Sequence, residues 1–296
     1  ALLCQDTGDL RESLTLCLRV IRLDPDNAAA FNNLGTTHQH LGQFEDAATA
    51  YRTAIALNPG HIGAYCNLAA TLAEGDQIRD SLAVCEEALE KWPGHSEILN
   101  AQSNAHVKAQ NWDAALAASE ASISSTPEFA QAHYGKSLIL VMQAKLEQAW
   151  PEFEWRVRRP NFWPQRHYGF PIWDGGSLAK KTLLVHWEQG FGDIIQFCRY
   201  LPLIKSLDAP PAKLFFDCPD KLIPLFTDWD CLDAIGDFGD TPPEVDYFIP
   251  LMSLPGRLGT TLEAITAASP YLVNPLSDYF EVPPLAGTTL KVGVVW

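Results

Sequence analysis

Hydrophobic residues in the first half of the chain recur three and four places apart, the spacing of one face of an amphipathic helix. Each such stretch ends where proline stops a helix, at Asp24-Pro25, Asn58-Pro59-Gly60, Trp92-Pro93-Gly94 and Thr126-Pro127. The pattern therefore predicts helices over 10–23, 29–41, 44–57, 63–75, 78–91, 97–109, 112–125, 131–143 and 146–158.

The same arrangement returns every 34 residues. In the unit that starts at Ala28, places 4, 7, 8, 20, 24, 27 and 32 hold Phe31, Leu34, Gly35, Ala47, Tyr51, Ala54 and Pro59. The next two units hold there Tyr65, Leu68, Ala69, Ser81, Cys85, Ala88 and Pro93, then Leu99, Gln102, Ser103, Ala115, Ser119, Ser122 and Pro127. A fourth unit keeps Ala149 and Phe153, and Ser13 and Cys17 fit the second half of an earlier one. This period resembles that of the tetratricopeptide (TPR) family, whose stacked helix pairs present a concave surface to another protein.

The period changes in the second half. Short apolar, β-branched or aromatic runs at 182–186, 213–217, 247–250 and 291–295 predict strands, and 194–207 and 219–226 predict helices between them. Such alternation favours a parallel sheet with right-handed crossovers. The sequence thus predicts an α-solenoid of one half and four whole repeats (1–158), a connector rich in proline and aromatic residues (159–180), a Rossmann-like α/β domain (181–290), and the first strand of a missing second domain (291–296).

Three segments resemble a family of bacterial TPR glycosyltransferases: 173–201, which contains Glu188-Gln-Gly-Phe-Gly-Asp193, then 246–255 and 291–296. The Gly192-Asp193-Ile194 step also resembles the opening loop of heptosyltransferases. The combination of TPR repeats with a glycosyltransferase domain also resembles O-GlcNAc transferases, although their catalytic histidine motif has no match here. These resemblances imply the GT-B architecture, in which one Rossmann-like domain takes the acceptor and the second takes the nucleotide-sugar. The chain would then be the N-terminal half of such an enzyme.

The glycine turn after the first predicted strand is the candidate chemical site, because ligands of open α/β sheets bind beyond the carboxyl ends of the strands. Ile195 stands where a dinucleotide fingerprint has its third glycine, so hydride transfer is not predicted. The heptosyltransferase resemblance implies that Asp193 is the catalytic base; the alternative is that it only caps the following helix. The further candidates for binding the acceptor or another ligand are His186, Glu188, Gln189, Gly190, Gly192, Gln196, Arg199 and Ser253.

Asparagine recurs on the predicted inner helices of the solenoid. Asn33 and Asn67 both hold place 6 of the repeat, and Asn100 and Asn104 stand near the same place in the third unit. An amide side chain both donates and accepts, so these residues are predicted to bind the backbone of an extended peptide. The alternative is that they bond neighbouring helices.

Charge and cysteine content narrow the classes of partner. The net charge is −15, which argues against nucleic acid or an anionic membrane as the main partner. Arg156, Arg158, Arg159 and Arg166 form a short basic joint that either pairs with neighbouring acids or binds an anion. Seven scattered cysteines without a C-x-x-C pair predict a reducing, cytoplasmic location, and no cluster has metal-ligand spacing.

These observations and resemblances predict a glycosyltransferase fragment. Its solenoid would hold a protein acceptor, and its α/β part would form the acceptor side of the cleft. A nucleotide-sugar would be the donor substrate, bound by the missing domain, with no cofactor or metal, and the fragment would be inactive alone. The rival hypotheses are a non-catalytic TPR adaptor with a degenerate sugar-binding domain, and a transferase acting on lipid or glycan.

Overall fold

The computed structural model describes residues 10–159, 168–227, 229–239, 241–265 and 272. They fall in two compact units, one before residue 163 and one after it. The predicted strand over 291–295 and the second domain that it would open lie outside the described residues.

The first unit consists of paired antiparallel helices. The outer helices are α1 (Leu10–Leu23), α3 (Phe44–Leu57), α5 (Ile78–Lys91), α7 (Trp112–Ser125) and α9 (Leu146–Phe153). The inner helices are α2 (Ala28–His40), α4 (Ile62–Glu74), α6 (Ser96–Lys108) and α8 (Ala130–Met142). Each begins and ends within one residue of its prediction except α9, which tightens into a 3₁₀ turn over Glu154–Arg158. Pro151 lies inside α9 and lacks the N–H that would continue the α-helical ladder.

Small residues let the two helices of each repeat touch. Place 20 is occupied by Ser13, Ala47, Ser81, Ala115 and Ala149, all 0% exposed. At place 8 a Cβ added to Gly35 would lie 2.6 Å from the ring of Tyr51. Where serine fills such a place its hydroxyl is bonded: Ser81 donates to the carbonyl of Ala69 at 2.7 Å, and Ser13 bonds the hydroxyl of Thr37 at 2.9 Å. The predicted solenoid of helix pairs is therefore confirmed.

The turn after each inner helix has one residue in the left-handed conformation, always at place 15. The residue is glycine only in the first repeat, and its φ is 73° for Gly42, 58° for Asp76, 55° for Gln110 and 58° for Ala144. A Cβ raises the energy of this conformation, so three of the four turns carry local strain.

The second unit contains a parallel sheet in the order β3-β2-β1-β4. Its strands are β1 (Thr182–His186), β2 (Lys213–Asp217), β3 (Ala234–Gly236) and β4 (Tyr247–Pro250). The described strands confirm three predictions, whereas β3, only three residues long, was not predicted. Leu183, Val185, Phe216 and Ile249 belong to a fully buried cluster on the sheet.

Two predicted helices of this unit were wrong in length. The one over 194–207 is divided into α10 (Phe191–Phe197), a 3₁₀ turn (Cys198–Tyr200) and α11 (Leu201–Lys205). The one over 219–226 reduces to a 3₁₀ turn at Ile223–Leu225. Pro202 and Pro224 explain both corrections, because neither can donate the backbone hydrogen bond that a continuous α-helix needs at its position.

The described end of the connector runs along the outer edge of β4. The N–H of Phe248 donates to the carbonyl of Pro171 at 3.1 Å, and the N–H of Trp173 donates to the carbonyl of Phe248 at 2.9 Å. Tyr168 and Phe170 pack with Phe248 in a second apolar cluster. Tyr168 and Phe170 thus pack on the sheet of this unit.

The repeated left-handed turn predicts stability changes of opposite sign. We expect Ala144→Gly to stabilise the solenoid by about 0.5–1 kcal/mol, because relief of left-handed strain exceeds the added backbone entropy of glycine. Gly42→Ala should destabilise it by a similar amount, since nothing lies within 4 Å of the added methyl and only strain changes. Urea unfolding followed by circular dichroism measures both. A loss of stability in both variants would contradict this explanation.

Candidate functional site

The carboxyl edge of the sheet carries most of the predicted site. The order in which strands are added reverses at β1. The chain places β2 and then β3 on one side of β1, and it places β4 on the other side. A crevice forms at such a point in parallel sheets. The loop after β1 brings His186, Glu188, Gln189 and Gly190 to this edge, and the turn after β4 brings Ser253.

Glu188 ties the two loops together. Its side chain is 1% exposed, and its Oε1 accepts a hydrogen bond from the N–H of Met252 at 3.1 Å. Ser253, the next residue, is also buried. The predicted ligand-binding carboxylate therefore has a structural role, since it holds the turn after β4 against the loop after β1.

His186 ends β1 in a buried aromatic setting. Its Nδ1 donates to the carbonyl of Trp187 at 3.0 Å, because a carbonyl oxygen can only accept. The ring lies edge-on to Tyr168, with centroids 5.6 Å apart, and 5.7 Å from the ring of Phe248. In the neutral ring the proton therefore sits on Nδ1, and Nε2 carries the lone pair.

Tyr168 and Asp217 are polar residues of this edge that sequence reasoning missed. Asp217 is fully buried at the end of β2, directly beside His186 in the strand register. Its carboxylate accepts from the hydroxyl of Tyr168 at 3.0 Å and from the N–H of Phe238 at 2.9 Å. A signal was present, because Asp217 closes the second predicted strand just as His186 closes the first.

Asp193 lies in the first turn of α10 and caps it. Its Oδ2 accepts from the N–H of Gly190 at 3.2 Å. The capping role considered from the sequence is thus observed, and the catalytic role stays a prediction. Gln196, three residues on, is exposed, and Arg199 is partly buried in the following 3₁₀ turn.

The asparagines of the inner helices are brought into one row. The Nδ2 of Asn67 on α4 donates to the Oδ1 of Asn32 on α2 at 3.1 Å, so a bond between neighbouring helices is observed here. Asn100 on α6 faces α8, where a Cβ added at Gly135 would lie 3.8 Å from its Oδ1. Asn33 is partly exposed and Asn104 is exposed. Asn32, which the place-6 pattern missed, belongs to the same row.

The basic joint at the end of the solenoid is held by acids and aromatic rings. Arg156 is buried and pairs with Glu154 at 2.9 Å. Arg158 pairs with Glu128 at 3.1 Å and lies 4.4 Å from the ring centroid of Trp155. Arg159 lies over the ring of Tyr134. Pairing with neighbours is therefore the outcome for Arg156 and Arg158, while Arg166 lies outside the described residues.

Of the six cysteines among the described residues, Cys17, Cys85, Cys198 and Cys218 are buried, and Cys66 and Cys231 are partly buried. Burial raises the pKa of Cys66, Cys85 and Cys198 to about 12, which keeps these thiols protonated and unreactive near neutral pH. In the described ranges, no group of three His, Cys, Asp or Glu side chains could hold a metal ion. Within the same ranges no helix is long and apolar enough to cross a bilayer.

Comparisons with known proteins identify the first unit. Two family models described as tetratricopeptide repeat match residues 28–61 and 100–154. Protein FlbA of Caulobacter vibrioides is 31% identical over 119 residues, which are 38% of this chain, and the chain spans only 20% of the length of that relative.

Two solved structures illustrate the likeness. PilW, a type IV pilus biogenesis factor, is 17% identical with a TM-score of 0.47, over 54% of this chain and 76% of its own. The TPR protein TTC0263 of Thermus thermophilus is 17% identical with a TM-score of 0.47, over 53% and 92%. The repeats matched by the family models are TPR repeats, and a TPR solenoid is a protein-interaction domain.

The hydrogen bond from the N–H of Met252 to Glu188 predicts different losses of stability for two substitutions of Glu188. Glu188→Ala should destabilise the α/β unit by about 2–3 kcal/mol, because the buried N–H of Met252 loses its acceptor and a cavity forms. Glu188→Gln keeps an acceptor oxygen and should cost less. Hydrogen exchange of the Met252 amide reports the bond, with protection lost in the first variant and kept in the second. The exposed Glu244→Ala is the control, and equal protection in all three variants would contradict the tie.

Proposed function

We propose that this chain binds an extended protein segment in the groove of its TPR solenoid and forms, with its α/β unit, the acceptor side of a GT-B nucleotide-sugar transferase. The solenoid would hold the acceptor protein while a hydroxyl of that protein enters the crevice beside β1. The observation that carries the first part is the row of amides on the inner helices, and the second part rests on the order of the parallel strands.

The groove is supported by an exposed stripe that crosses all four inner helices. Places 5, 9 and 13 stay partly or fully exposed in each repeat, and they hold Asn32, Thr36, His40, Cys66, Ala70, Glu74, Asn100, Asn104, Lys108, Tyr134, Leu138 and Met142. Packed helix axes lie about 8–10 Å apart, so four inner helices span about 24–30 Å, the reach of about 8 extended residues. Amide groups along this path suit a peptide backbone, which presents both donors and acceptors.

Removal of two amides tests the groove. Asn100→Ala with Asn104→Ala, two amides of this stripe, should weaken binding of an unstructured, serine-rich peptide of about 8 residues by about tenfold, the loss expected for one or two hydrogen bonds. Fluorescence anisotropy with peptides selected from an array measures this effect.

The matched control lies on α3. Thr49→Ala and Thr53→Ala remove exposed hydroxyls that bond only carbonyls of their own helix in the structure. These changes should leave peptide affinity unaltered. An unchanged affinity of the asparagine variant, with a native circular dichroism spectrum, would count against the groove.

The transferase proposal is supported by the geometry of the second unit. The order β3-β2-β1-β4, with all neighbours parallel, is that of the first half of a doubly wound nucleotide-binding sheet. Beside the crevice expected between the loops after β1 and β4, the partly exposed Asp193 is a carboxylate of the kind that deprotonates an acceptor, whereas Glu188 and Ser253 are buried there. A non-catalytic adaptor would keep the same groove and use this crevice only for binding.

Asp193→Asn tests the proposed base in a chain that also carries the donor half. If Asp193 takes the proton of the acceptor hydroxyl, kcat should fall by about 10²–10⁴-fold. The melting temperature should change little, because the amide oxygen of asparagine can still accept from Gly190. If Asp193 is only a cap, kcat should persist and Asp193→Ala should cost about 0.5–2 kcal/mol of stability.

Residues 1–296 alone are expected to transfer no sugar, since positioning of donor against acceptor supplies much of the catalysis. Turnover by this chain without a donor half would contradict the two-domain proposal. Absence of transfer even with the donor half, together with intact peptide binding, would favour the adaptor.

A further inference from the structure

The fourth repeat differs from the others at two places that meet between its helices. Place 4 holds Phe31, Tyr65 and Leu99 in the first three repeats and His133 in the fourth, and place 23 holds Ala50, Val84 and Ala118 and then Glu152. Phe31 packs in the same apolar cluster as Ala50, and Tyr65 packs in the same cluster as Val84. An apolar contact of the earlier repeats is thus replaced in the last repeat by an ionisable pair.

His133 lies between two groups that accept hydrogen bonds. It is 8% exposed, its Nδ1 lies 2.5 Å from Oε2 of Glu152, and its Nε2 lies 2.8 Å from the carbonyl oxygen of Pro127. A carbonyl cannot donate, and a neutral imidazole has a single N–H. With a neutral ring and an ionised carboxylate, one of the two contacts would set a lone pair against a lone pair. Both contacts are hydrogen bonds only when the pair holds one further proton.

The surroundings favour that proton on the ring. The Nζ of Lys136 lies 3.0 Å from the other oxygen of Glu152, which stabilises the ionised carboxylate. The ring of Trp155 stacks on that of His133, with centroids 3.9 Å apart and planes 3° from parallel. An aromatic face attracts a cation. The pair therefore suits an imidazolium beside a carboxylate.

The neighbouring charges on the elements packed against α8 are themselves paired. Glu120 of α7 lies 3.5 Å from Nζ of Lys136, and Arg158 of the 3₁₀ turn lies 3.1 Å from Glu128 in the loop before α8. Arg156 of the same turn pairs with Glu154. Side chains of these types keep their charge near neutral pH, whereas histidine changes its charge there. Among these groups, His133 is therefore the one that can respond to a change of pH in this range.

We propose that His133 and Glu152 form a pH-sensitive latch, which fastens α9 to α8 while the pair holds its proton. The two residues stand on different helices, and Pro127 adds the loop before α8, so one proton joins three segments. Loss of the proton breaks one of the contacts and leaves a buried polar atom without its bond. Because the closed latch binds a proton that the open one releases, its stability is present at mildly acidic pH and is lost as the pH rises.

Hydrogen exchange of backbone amides, followed by NMR on residues 1–296 between about pH 6 and 8, tests the latch. The protection factors of the α9 amides, corrected for the pH dependence of exchange in an unfolded chain, should fall by about 3–10-fold per pH unit within this range. The limit of tenfold corresponds to one proton bound by the closed form and released by the open form. Amides of α3 are the internal control and should keep their protection, since Phe31 and Ala50 form the same contact there without an ionisable group. Constant protection in α9 would overturn the latch.

Two variants separate the proton from the packing. Glu152→Gln supplies an N–H that can donate to Nδ1 of a neutral ring, while Nε2–H still bonds Pro127, so protection of α9 should persist and lose its dependence on pH. His133→Phe with Glu152→Ala copies the residues of the first repeat and should likewise make protection independent of pH. A wild-type pH dependence that survives in either folded variant would show that another group is responsible. Should the double variant fail to fold, Glu152→Gln alone decides.

Discussion

The close approach of two helices within each repeat is the constraint on which the solenoid depends. The ring of Tyr51 occupies the space where a side chain at Gly35 would be, and the other repeats solve the same contact with serine or alanine opposite smaller partners. Packing at this distance leaves no room for an unsatisfied polar atom, so Ser103 donates to the carbonyl of Ala115 across the contact. Because each contact lies at fixed places of a 34-residue unit, the helices that satisfy it stack in one register.

This constraint explains why the solenoid could be predicted residue by residue and the α/β unit only in outline. A small residue at place 20 has the same meaning in every repeat, so one sequence contains several independent observations of one contact. The second unit has no such repetition. The segment 219–226 has the apolar spacing of a helix, yet Pro224 reduces it to a single 3₁₀ turn, and β3 is too short to show any alternation. A local sequence pattern is enough to predict the structure where the same packing contact recurs in every repeat. Elsewhere, tertiary contacts decide which structure a segment adopts.

The candidate site shows the same division. His186, Glu188 and Ser253 could be named as candidates from the sequence, because each stands at or after the carboxyl end of a predicted parallel strand. The bond from Tyr168 to Asp217 could not be predicted, because its partners lie 49 residues apart and no pattern connects them. The structural role of Glu188 could not be predicted either, because the sequence does not show whether a glutamate is a buried hydrogen-bond acceptor or an exposed ligand-binding residue.

The two units differ in whether the residues that pack the fold are also the residues of the candidate binding surface. In the solenoid, the residues at places 8, 20 and 24 hold the helices together, while those at places 5, 9 and 13 line the exposed stripe. The stripe changes from Asn32 and Thr36 in the first repeat to Leu138 and Met142 in the fourth, while places 8, 20 and 24 stay buried in each of these repeats. In the α/β unit, Glu188 and Asp193 border the crevice and also hold its loops in place. Substitution there alters the loop geometry together with the exposed surface, whereas substitution along the stripe leaves the contacts between the helices of a repeat in place.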